Sequence, residues 1–195
     1  MVMVVNYFGN GCFRLQSGET AILVNPENNR LKADVVLKTL IPTNDEAVTE
    51  VQDGNGTTIS FPGEYEVKGI EIVGFPITNE STENFLKTAY SVIWEGMKIV
   101  FLGHLSAPVD AALMEEFSDP DLLILPVGGG NFLEPNVAAK MAKQLEAKIV
   151  IPSFYKNPEE FLKALGKKTD VAEKFVFKQK DIATEKGRPI VLKAA

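Results

Sequence analysis

A chain of 195 residues that is 45% hydrophobic and 24% charged can bury one core as one domain, residues 1–195, and is not disordered in bulk. Its formal net charge of -6 argues against nucleic acid as a partner, because phosphate backbones demand a concentrated basic surface, and the cluster Lys163, Lys167, Lys168, Lys174, Lys178 and Lys180 reads as a solvated face. One cysteine, Cys12, excludes an intramolecular disulfide and fits a reducing cytoplasm, and no apolar run approaches the roughly 20 residues that cross a bilayer.

The apolar start, Met1–Val5, is interrupted at Asn6 and lacks a basic flank, so it reads as a first strand and not as a signal peptide. Thr58–Phe61, Ile70–Val73, Tyr90–Trp94 and Met97–Phe101 are short runs bounded by Gly, Asn and Glu-Gly turn signals, suited to hairpins of an antiparallel-rich sheet. Val109, Leu113 and Phe117 then recur at a spacing of four and predict a helix. Leu122–Pro126 is a continuous apolar run, as a strand covered on both faces requires. A second helix starts at Glu134-Pro135, with Val137, Met141 and Leu145 on one face, and Ile149–Ile151 is another buried strand. The clearest helix has Asn157 as cap, Pro158 next, Glu159 and Glu160 at the positive end, Phe161, Leu162 and Leu165 inward, and Gly166 as its stop. Pro189–Leu192 closes the chain as a strand, giving an α+β protein with two sheets face to face and helices outside.

Three features carry chemistry. Gly128, Gly129 and Gly130, between a buried strand and a helix, are candidates for holding an anion on backbone N–H groups, although a turn needing positive φ is the plainer reading. Cys12 and the single histidine, His104, form a candidate nucleophile and base, against which stands a packed, inert thiol. His104 is also a candidate lone metal ligand with Asp45, Glu64 or Asp110, an oxygen-rich set suited to Mg or Mn, while a hydrogen-bonded histidine at a strand-end turn is the plainer alternative. Glu64 and Glu66 alternate on one strand and read as a solvated pair.

Six segments in order carry a resemblance. Tyr7–Leu15 (YFGNGCFRL), Ala21–Pro26 (AILVNP), Phe61–Val67 (FPGEYEV), Leu102–Ser106 (LGHLS), Asp121–Gly130 (DLLILPVGGG) and Ala147–Lys156 (AKIVIPSFYK) resemble the metallo-β-lactamase fold. The similarity is to its compact bacterial branch of sugar-phosphate-lactonase-like Zn-dependent hydrolases. The resemblance implies a four-layer αββα sandwich with two mixed sheets and a metal site at the mouth.

The family's signature is a strand ending in Thr-His-x-His-x-Asp-His. Here Ala33–Thr39 runs into Leu40, Ile41, Pro42, Thr43, Asn44 and Asp45. On that match Leu40 and Pro42 take the places of the first two histidines, Asn44 that of the aspartate and Asp45 that of the last histidine. Asn10 and Asn25 stand where a His and an Asp are usual, His104 where a metal-bridging Asp belongs, and Phe154 where the distal His belongs. Catalytic zinc takes three or more His, Cys or carboxylate ligands, which these positions do not supply. The expectation is a pseudoenzyme without metal or other cofactor, acting by binding or assembly, with a mouth narrowed by buried Leu40 and Phe154. A hydrolase with a rebuilt mononuclear or metal-free site around His104 and Asp45 is the alternative. A small molecule, a protein or a second copy of the chain are the partners left open; a membrane is not.

Overall fold

The computed structural model describes residues 1–28, 30–43 and 56–195, together with the backbone of 51–53. One sheet runs in the order β15 (Phe175–Phe177), β1 (Met3–Tyr7), β2 (Phe13–Ser17), β3 (Thr20–Val24), β4 (Val35–Leu37), β7 (Gly56–Ile59) and β6 (Val51–Asp53). The other runs β16 (Arg188–Pro189), β13 (Ile149–Ser153), β12 (Leu122–Pro126), β11 (Met97–Phe101), β10 (Phe85–Trp94), β9 (Ile70–Pro76) and β8 (Gly63–Val67). A short strand, β5 (Leu40–Pro42), pairs with the start of β10, and β14 (Val171–Ala172) pairs with β17 (Val191–Leu192).

Residue pattern explains the layering. In β1 and β2 every second side chain is buried, so Met3, Val5, Tyr7, Phe13 and Leu15 face the second sheet. Tyr90, Phe101, Ile22, Leu37 and Ile59 complete this central core. By contrast β12 and β13 are buried along their whole length and pair in parallel, because their outer face is covered as well. That cover is α1 (Ala111–Glu116), α2 (Pro135–Gln144) and α3 (Glu159–Leu165), whose Leu113, Met141, Phe161 and Leu165 pack on Val100, Leu123, Leu125 and Val150. Burying each such side chain contributes about 2 kcal/mol. The outer face of the first sheet carries a smaller cluster, Cys12, Leu23 and Val36, with Phe8, Leu31 and Ala33 against it.

Local signals mostly set the boundaries. Glu95 (φ 55°) and Gly96 (φ 72°) form the two-residue turn of the β10–β11 hairpin, and Gly166 (φ 75°) ends α3 in the left-handed region. Asp110 caps α1 by accepting from the Leu113 amide at 2.9 Å. The α3 cap falls on Pro158, one residue after the expected Asn157, whose Oδ1 nevertheless accepts from the Glu159 amide at 3.0 Å. The expected strand over Pro189–Leu192 is two strands, because Ile190 ends the pairing of β16 with β13 and lets Val191 and Leu192 cross to β14. A four-residue helix, α4 (Gln179–Ile182), has too few periodic positions to be read from the sequence. Among the described residues no helix is long and apolar enough to cross a membrane.

Candidate functional site

Because β3 and β4 are parallel, as are β11, β12 and β13, the segments that follow their C-terminal ends gather at one edge of the sandwich. A cleft of about 1020 Å³ opens there, lined among others by Tyr7, Asn10, Asn25, Leu40, His104 and Phe154. Residues 191–194 form part of its wall, held by the Tyr155 hydroxyl, which donates to the Leu192 carbonyl at 3.0 Å.

His104 follows Gly103 in the turn after β11. An added Cβ at Gly103 would lie 2.3 Å from Thr39 Cβ, so only glycine lets Thr39 approach. The Thr39 hydroxyl then meets His104 Nδ1 at 2.8 Å. Asn25 completes the chain: its Oδ1 accepts from the Thr39 amide at 2.9 Å and its Nδ2 donates to Thr39 Oγ1 at 2.9 Å. Burial, with the Lys87 charge added, lowers the His104 pKa to about 4, so the ring is neutral at neutral pH. Nδ1 is thus engaged, while Nε2 has no protein partner among the described residues.

Phe154 sits just past β13 with φ 52°, a conformation that costs a bulky residue on the order of 1–3 kcal/mol. Its ring stacks on Phe132 with centroids 4.3 Å apart and tilts against His104 at 4.7 Å. Two glycines admit it: an added Cβ would lie 2.1 Å from Phe154 Cζ at Gly11 and 1.9 Å from the Phe154 carbonyl at Gly128. Behind the histidine turn, the Glu80 carboxylate accepts from Ser106 N at 2.8 Å, Ser106 Oγ at 2.7 Å, Ala107 N at 2.7 Å and Lys87 Nζ at 2.7 Å. Burial would raise the Glu80 pKa, but these hydrogen bonds outweigh it and hold the acid below its ordinary value.

Of the residues singled out from the sequence, Asn10, Leu40, His104 and Phe154 come together here. Asn44 and Asp45 lie outside the described residues. Pro42 is exposed opposite Phe85 on β5 and does not line the cleft, because the strand pairing turns it away. The expected filling of the mouth is corrected: Leu40 and Phe154 are half-buried, and the aromatic rings stack along one wall, leaving the cleft open. Gly128 and Gly129 border a neighbouring hollow of about 590 Å³. Two amides of this loop are already used, Gly129 N donating to the Leu133 carbonyl and Gly130 N to the Glu134 carboxylate at 3.1 Å.

Cys12 is 4% exposed, lines a different cavity from His104, and burial pushes its thiol up to about 11, so the two do not form a nucleophile and base. Asp110 is spent as a helix cap, Glu64 and Glu66 are exposed on the edge strand β8, and none of the three lines the cleft with His104. Sequence reasoning missed Thr39, Glu80, Phe132 and Tyr155, none of which carries a spacing signal toward His104.

Residues 4–153 match the family model described as the beta-lactamase superfamily domain. The chain belongs to the metallo-β-lactamase superfamily. It is 33% identical over 128 residues to a metal-dependent hydrolase of Thermococcus onnurineus, a match covering 59% of this chain and 57% of that protein. The matched stretch thus spans little more than half of that relative, and 54% of a second one from Thermococcus kodakarensis, 30% identical over 121 residues. A metal-dependent hydrolase of Natranaerobius thermophilus matches at 24% identity across 92% of this chain and 98% of its own length. Among solved structures, one titled for a Zn-dependent hydrolase of the superfamily from Thermotoga maritima superposes with a TM-score of 0.78 at 26% identity, covering 97% of this chain and 98% of that one.

The superfamily implies a metal at the mouth, and the donors there can be tested against it. Leu40 and Phe154 offer no lone pair, both side-chain ends of Asn25 are committed to Thr39, and Asn10 Nδ2 donates to Glu27 at 2.6 Å. What faces the cleft from His104 is one nitrogen, against the three or more protein ligands of a metallo-β-lactamase zinc centre. Among the described residues no three His, Cys, Asp or Glu side chains gather as a metal site. The donors that the described residues bring to the cleft, one His104 nitrogen and the Glu27 carboxylate, fall short of a zinc ligand set.

Proposed function

We propose that this chain is a non-hydrolytic member of the metallo-β-lactamase superfamily, which works by holding a small molecule in its cleft without metal. One observation carries the reading: where the resemblance places metal ligands, the cleft presents an aromatic cluster, Phe132, Phe154 and His104, with Nδ1 already bonded to Thr39. Such a surface suits organic ligands, which bind in largely apolar clefts with a few placed polar groups. A cytoplasmic setting is proposed with it, on the free, buried thiol of Cys12.

A hydrolase with a mononuclear site rebuilt around His104 and Asp45 is the second reading. In its favour, a ring held through Nδ1 with Nε2 free is how metal-bound imidazoles are oriented, and the relatives are named metal-dependent hydrolases. One experiment decides between them: expression in metal-replete medium, elemental analysis, and hydrolysis assays on lactone, ester and phosphodiester probes with added zinc, manganese or iron. The expected result is far less than one equivalent of metal per chain and no rate above buffer. Stoichiometric metal that disappears in His104→Ala, with turnover, would overturn the binding reading.

A further inference from the structure

We propose that the cleft takes a small aromatic carboxylate, its ring body on the apolar wall of Phe132 and Phe154 and its charge among the rim lysines Lys38, Lys156 and Lys193. This rests on the binding reading above and names its ligand class. The charge balance supports it: among the described residues three lysines line the cleft against one carboxylate, Glu27, which accepts a hydrogen bond from Asn10, on a chain of net charge -6. A local excess of positive charge on an acidic protein selects an anion. The lysines are exposed, so they contribute by long-range attraction and not by a fixed clamp.

The body of the ligand follows from the wall and the volume. Half-buried aromatic rings are not satisfied by a bare inorganic anion, and at about 1020 Å³ the cleft matches the largest pockets that hold organic ligands, roughly 300–1,000 Å³, which leaves ample room for an aromatic body. The neutral His104 ring adds one hydrogen-bonding atom, Nε2, which tolerates a neutral polar group on the ligand edge. Backbone conformation points the same way. Phe154, a bulky residue, lines this cleft at φ 52°, and such strain persists only where the surroundings hold the shape.

The test uses the full chain and three probes: 2-naphthoate, 2-naphthylmethanol, which has the same body without charge, and inorganic phosphate, which has charge without the body. Affinities are read by calorimetry and by amide shifts of cleft residues, in wild type and in Lys156→Ala/Lys193→Ala. The expected result is binding of naphthoate about tenfold tighter than the alcohol, no measurable phosphate binding, and loss of most of that preference in the lysine variant. Phe154→Ala should weaken acid and alcohol alike. Equal affinity for acid and alcohol, an unchanged preference in the lysine variant, or phosphate binding as tight as naphthoate overturns the ligand class and leaves the binding reading standing. Failure of both naphthyl probes also overturns the ligand class, whereas the binding reading falls separately, on stoichiometric metal and turnover.

Discussion

Lowering the pH from 7 to 5 should destabilise this protein chiefly through His104, its only histidine. The unfolded chain takes up that proton near pH 6.5, the ordinary value for imidazole, whereas the folded chain resists it down to about 4 because the ring is buried beside the Lys87 charge. The folded value lies below the unfolded one, so between the two the unfolded state binds more protons and stability rises with pH. The contribution is present at pH 7, is lost progressively below about 6.5, and stops changing below about 4. Integrated from pH 7 to 5, the loss is on the order of 2 kcal/mol, or roughly 4–8 °C in Tm for a domain of this size. Urea unfolding at both pH values, on wild type and His104→Gln, isolates it. Glutamine does not titrate, its amide can keep the bond to Thr39, and the carboxylates common to both proteins cancel in the difference. Wild type should lose about 2 kcal/mol more than the variant between the two pH values. An equal loss in both proteins would refute the buried, neutral histidine.

Three other outcomes are expected. Phe154→Ala should cost about 2 kcal/mol in urea unfolding, below the 3 or more of a fully buried phenylalanine because the ring is half-exposed to the cleft; a neutral result would mean the ring is not packed as described. Glu80→Ala leaves the amides of Ser106 and Ala107 and the Lys87 ammonium without their carboxylate, so it should cost about 2–4 kcal/mol and speed amide exchange at 106 and 107, and unchanged exchange there would contradict the clamp. On the binding reading no folding energy is tied to a metal, so a strong chelator should leave Tm unchanged within about 1 °C; a large drop would overturn that expectation.

The sequence alone determined the layers. Alternation in Met3–Tyr7, the all-apolar runs Leu122–Pro126 and Ile149–Ile151, and the stops at Glu95-Gly96 and Gly166 are local properties of the chain, set by side-chain period and allowed φ. It also showed, through the replacements at Leu40, Pro42 and Phe154, which side chains of the matched positions have nothing to offer a metal. Tertiary structure alone decided what surrounds those positions. The strand β5 carries Pro42 out of the cleft, and Thr39 reaches His104 across 65 residues because Gly103 leaves room for it. Phe132 and Phe154 meet only because β12 and β13 are parallel neighbours whose ends open on one edge. Contacts between residues distant in sequence leave no periodic trace along the chain, so an open aromatic cleft with a tied histidine was not legible until the strands were laid side by side.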